Sequence, residues 1–112
     1  MSDRLAIKLW LIQRFSGMLL GLFVLLHLAT MIYAIQGGLT ADEILGRTKD
    51  NWLMAGWYSV FVITAAVHGS IGLRTVAQEV IGWRTTSLDW FIGLFCILLS
   101  GVGLLAVMGL LL

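Results

Sequence analysis

Two side chains set inside long uncharged stretches are strong transition-metal ligands, His27 and His68. Residues 15–35 and 51–73 contain no Asp, Glu, Lys or Arg, and each imidazole lies well inside its stretch. A polar side chain in hydrocarbon costs a few kcal/mol on insertion scales, so each histidine is a functional hypothesis. The competing reading is an imidazole that hydrogen-bonds a neighbouring helix as structural glue. Height makes the pair more informative than either member. On antiparallel helices His27 lies about 18 Å above the inner boundary at Phe15, and His68 about 8 Å above the one at Leu73, at 1.5 Å per residue. The two are then on the order of 10 Å apart along the membrane normal. A single iron between two imidazoles needs both nitrogens at one height. Each histidine is therefore expected to serve a separate metal, with the opposite ligand coming from a second subunit.

Nothing close to either histidine supplies the carboxylates or thiolates that complete zinc or copper sites, which favours haem iron. Cys96 stands alone in the third apolar stretch and reads as a small hydrophobe. A planar macrocycle needs flat walls, and helical spacing puts Gly72 one turn after His68 and Thr64 one turn before it. On the first helix Gln13, Ser16, Leu20 and His27 fall on one stripe, expected to face a partner or a cofactor. Met31, one turn past His27, reads as packing or as a thioether ligand. Arg14 and Arg74 close the inner ends of the first two helices. They suit pairing with haem propionates, or equally the snorkelling that basic residues adopt at a membrane boundary. Asp42 and Glu43 suit proton handling at the outer surface less well than ordinary solvated loop charge.

These residues need elements that cross a membrane. The chain has 112 residues, 60% apolar and 12% charged, with a mean hydropathy of +0.99. Residues 15–35, 51–73 and 90–112 each exceed the roughly 20 residues that span hydrocarbon as a helix. The expected fold is all-α and integral to the membrane. Three transmembrane helices at about residues 10–36, 51–80 and 88–112 form one domain over residues 1–112. The first run is too long for the apolar segment of a signal peptide and lacks a cleavage site. Residues 36–50 are expected to include a surface helix starting near Thr40, and the second helix to run past the lipid boundary until Gly82 stops it. Arg4, Lys8, Arg14, Arg74 and Arg84 fall on one side against Arg47 and Lys49 on the other, which puts the amino terminus on the cytoplasmic side. The five tryptophans suit interfacial anchoring. A net charge of +1 offers no footprint for nucleic acid. So small a bundle seals poorly alone, so lipid and a partner subunit are expected to cover it.

Two blocks resemble the membrane-anchor cytochrome b subunits of succinate:quinone oxidoreductases and fumarate reductases: residues 10–27, WLIQRFSGMLLGLFVLLH, and residues 68–79, HGSIGLRTVAQE. The second fits the family pattern H-x-x-x-G-x-R with an acidic residue eleven positions after the histidine. The similarity covers about residues 10–83, and within the family the chain looks like the second half of a single-chain dihaem anchor. The resemblance implies that His27 ligates a distal haem b and His68 a proximal one, with a sister anchor subunit giving the other two ligands. It also implies an iron–sulfur subunit, a flavoprotein carrying the dicarboxylate chemistry, and quinone as the substrate in the membrane. Arg14 and Ser16 match the family's quinone-site stretch, with Trp10 beside them, although Gln13 departs from the commoner H-R-x-[ST]-G pattern. The function so implied is electron transfer between the iron–sulfur subunit and quinone in a bacterial or archaeal cytoplasmic membrane. The alternatives are a cytochrome b subunit of another respiratory complex, or a haem-free structural membrane subunit.

Overall fold

In hydrocarbon no water is present to satisfy backbone N–H and C=O groups, so an apolar run without proline has one economical solution, the helix. The computed structural model describes residues 3–112, and they form no strand. Helix α1 runs Asp3–Gln36, α2 Ala41–Thr48, α3 Trp52–Val76 and α4 Thr86–Leu111; a π-helical turn, Ala77–Ile81, extends α3. Helices α1, α3 and α4 are long and apolar enough to cross a membrane. The chain is thus an all-α, multi-pass membrane protein.

Helix α1 begins about seven residues before the expected start at Trp10. Residues 3–9 contain no helix breaker, so the helix continues toward the amino terminus past the lipid-embedded part. At the other end the paired glycines terminate it, Gly38 with a φ of 65°. Thr40 then caps α2, its hydroxyl accepting from the Glu43 backbone N–H at 3.2 Å. The second connection is tighter. Gly82 takes a φ of 78°, and the Ala77 carbonyl accepts from both Gly82 and Trp83 backbone N–H groups. A side chain at Gly82 would strain that left-handed stop. Both surface features agree with the sequence expectation.

Helix α3 is the middle element, packed along one side by α4 and along the other by α1. Each neighbour runs antiparallel to it. Along α3 and α4, Arg74 meets Asp89 and Val62 meets Gly103; along α1 and α3, Ser16 meets His68 and Phe23 meets Phe61. The α3–α4 seam closes on Ala77, Leu88 and Ile92, with Leu73 and Trp83 against them. Its opposite end is tied by the Asp50 N–H donating to the Leu111 carbonyl at 2.8 Å. The molecule measures 50 × 24 × 23 Å, long enough to cross a bilayer in its long dimension. Much of its apolar surface is uncovered, including Phe15, Met18, Leu25, Leu94 and Ile97.

Candidate functional site

The α1–α3 seam holds both histidines, at different levels. His68 sits against the stretch of α1 around Ser16 and Gly17. Its Nδ1 is 3.2 Å from the Ser16 Oγ, and a Cβ added to Gly17 would lie 3.2 Å from its Cε1. The imidazole therefore sits close over the glycine, where even a methyl group would be a tight fit. Ser16 is buried, and its hydroxyl donates to the Gln13 carbonyl at 3.1 Å. One turn along α3, Gly72 brings the backbone close to the Gln13 side chain, whose Nε2 would be 3.3 Å from an added Cβ. Small residues at these points let two apolar helices approach closely, as van der Waals packing in lipid requires.

His27 lies farther along α1, with its ring edge-on to Tyr58 at 5.9 Å and to Phe61 at 5.7 Å between centroids. Phe23 extends this aromatic wall, edge-on to Trp57 at 4.5 Å and stacked on Phe61 at 5.4 Å. The Nδ1 of His27 is buried and has no hydrogen-bond partner in the structure. A buried polar atom left unpaired costs about 1–3 kcal/mol.

From the level of Gly17 to His27 is ten residues of α1, about 15 Å of rise; from Phe61 to His68 is seven residues of α3, about 10 Å. Ligating nitrogens on one metal would be roughly 4 Å apart. The two imidazoles cannot meet on one ion, and among the described residues no cluster of three or more His, Cys, Asp or Glu is placed to hold one.

The remaining sequence candidates divide between the α1–α3 groove and its surroundings. Trp10, Gln13, Gly72 and Arg74 line an open groove of about 410 Å³ between the start of α1 and the end of α3, together with Ala6, Leu9, Ile71 and Thr75. Arg14 lies outside it, with its guanidinium 4.9 Å from the centre of the Trp10 ring. Arg74, although only 8% exposed, reaches across to α4, where its Nε donates to the Asp89 carboxylate at 2.8 Å. The stripe of Gln13, Ser16, Leu20 and His27 was expected to face a partner or cofactor, and the structure sets two of its members beside a neighbouring helix. Ser16 and His27 contact α3 of the same chain, because closely packed antiparallel helices present their small and polar positions to each other. Met31 is exposed, and Glu43 serves the α2 cap. Sequence reasoning missed Gly17, Tyr58, Phe61 and Asp89. Gly17 was detectable as the small residue after Ser16; the aromatic pair becomes visible only when the register of α1 against α3 is known.

The family model for the succinate dehydrogenase/fumarate reductase transmembrane subunit matches residues 1–104. That match covers most of the chain, and the chain belongs to this family. No curated protein and no solved structure matches it.

Proposed function

We propose that this membrane subunit of a succinate dehydrogenase/fumarate reductase complex carries haem b and passes electrons between the iron–sulfur subunit and membrane quinone. The observation that carries the reading is the pair of inward-facing imidazoles at separate levels, each with a nitrogen that none of the described residues engages. His68 makes one hydrogen bond, through Nδ1; the buried His27 Nδ1 makes none. The fit to haem rests on these donors and on the glycine and aromatic surfaces around them. His68 would hold the proximal haem and His27 the distal one, and a sister anchor subunit would give each the opposite ligand. When bound, the haem supplies one-electron redox chemistry whose potential depends on axial ligand, hydrogen bonding and burial.

The contribution of this chain is then positional. Gly17 leaves room for the His68 ring, and the Phe61 and Tyr58 rings pack perpendicular to His27. Arg14 and Arg74 stand at the inner end of α1 and α3, where cations suit propionates. Arg74 is held on that side by its Nε–Asp89 bond. The groove bordered by Trp10, Gln13 and Arg74 offers an apolar slot with amide and guanidinium donors at its rim, suited to a quinone ring with two carbonyl acceptors. Arg14, stacked on Trp10, and Ser16, one turn deeper than Gln13, flank that slot. We place the amino terminus on the cytoplasmic side of a bacterial or archaeal cytoplasmic membrane, because the ends bearing Arg4, Lys8, Arg14, Arg74 and Arg84 coincide.

The test is an optical difference spectrum of the purified complex, dithionite-reduced minus oxidised. Low-spin b-type bands are expected, with at least the His68-dependent component lost in His68→Ala. A complex that assembles with no b-type absorbance removes the proposal.

A further inference from the structure

We infer that Ser16 is a positioning residue for His68: it fixes the protonated nitrogen of that imidazole at Nδ1 and leaves Nε2 as the ligating atom. The inference rests on the haem reading above, and it comes from the direction of two hydrogen bonds. A serine hydroxyl carries one hydrogen. The Gln13 carbonyl can only accept, so the 3.1 Å contact spends that hydrogen on the α1 backbone. What Ser16 then turns toward His68, 3.2 Å away, is a lone pair. A bare imidazole nitrogen facing that lone pair would be repelled. Nδ1 therefore carries the proton, and the sequence of donors runs from His68 Nδ1–H to Ser16 Oγ–H to the Gln13 carbonyl. The proton on Nδ1 leaves the free electron pair of the neutral ring on Nε2.

The consequence extends beyond orientation. A hydrogen bond accepted from the distal N–H of a metal-bound imidazole raises the basicity of the ligating nitrogen and holds the ring plane. A more basic ligand favours the oxidised metal. Ser16, with its proton anchored in the α1 backbone, thus tunes the potential of one redox centre from a neighbouring helix. His27 has no counterpart, since its Nδ1 lacks a partner in this chain. The two centres are made unequal by a single serine.

Redox titration of the intact complex, followed optically and by the low-spin ferric resonance of each haem, tests this in Ser16→Ala and Ser16→Thr. In Ser16→Ala the His68-dependent haem is expected to change its oxidised-to-reduced ratio at fixed ambient potential by about fivefold toward the reduced form, the equivalent of one ordinary hydrogen bond. Its ferric resonance moves as well, the other haem stays unchanged, and Ser16→Thr restores both readouts. If Ser16→Ala does not assemble, Ser16→Cys gives the same reading, because a thiol is a weak acceptor of nearly the same size. A His68-dependent haem whose potential and resonance are unaltered by loss of the hydroxyl overturns the inference and leaves the haem reading standing. Retention of every b-type band in an assembled His68→Ala complex defeats the haem reading itself.

Discussion

At the scale of single residues, the chemistry depends on how little room surrounds His68. Its imidazole lies over Gly17, where even one methyl group would stand 3.2 Å from Cε1. Gly17→Ala is expected to assemble with a perturbed His68 ring, seen as a shifted low-spin ferric resonance; Gly17→Leu is expected to lose the corresponding haem, because a branched side chain cannot share that space. Haem content and the ferric spectrum of the two variants check this. Normal haem in Gly17→Leu would show that the ring lies elsewhere. His27 and His68 were legible in the sequence because ionisable groups inside apolar runs are costly, and so stand out. Gly17 was not legible in the same way, since thirteen glycines occur and only the helix register tells which of them faces a histidine.

At the scale of helices, α3 is held by two different kinds of contact. Toward α4 the contact is steric: a Cβ on Gly103 would overlap the Val62 side chain. Gly103→Ala should lower the stability of the complex by about 1–3 kcal/mol through overpacking, and Val62→Ala in the same protein should recover much of the loss by vacating the space. Thermal unfolding of the two variants in detergent reads this coupling, and additive losses would contradict it. The end of the same seam near the α3–α4 connection carries the Arg74–Asp89 pair. The three crossings, the Thr40 cap and the Gly82 stop followed from run length, capping chemistry and glycine conformation. Two features did not follow. Helix α1 continues to Asp3 because nothing between lipid and terminus breaks it. The polar stripe on α1 turns to α3 of its own chain, a choice between neighbours that periodicity alone leaves open.

For the whole molecule, three helices with a single shared middle element leave broad apolar faces on α1 and α4. Such faces are compatible with lipid and with a second membrane subunit, and membership in a multi-subunit oxidoreductase family supplies the reason for the latter. The proposed orientation rests on the charge distribution. In a Cys96→Ser background, single cysteines at Lys49 and Arg84 are expected to behave oppositely toward a membrane-impermeant maleimide: Lys49→Cys labels in intact cells, and Arg84→Cys only after permeabilisation. The reverse pattern would invert the proposed topology. The separation in height of the two histidines, roughly 10 to 15 Å along the helices, could be read from sequence to within a few ångströms, because antiparallel helices translate residue number into depth. The aromatic surroundings of His27 could not, since they depend on which face of α3 meets α1. The central claim is that these imidazoles serve two separate haems, and pyridine haemochrome quantification of the intact complex measures it most directly. Two haems per complex in the unaltered protein and one in His27→Ala, with the His68-dependent spectrum intact, is the predicted result. An unchanged haem count in His27→Ala, or loss of both haems from a complex that still assembles, would contradict it.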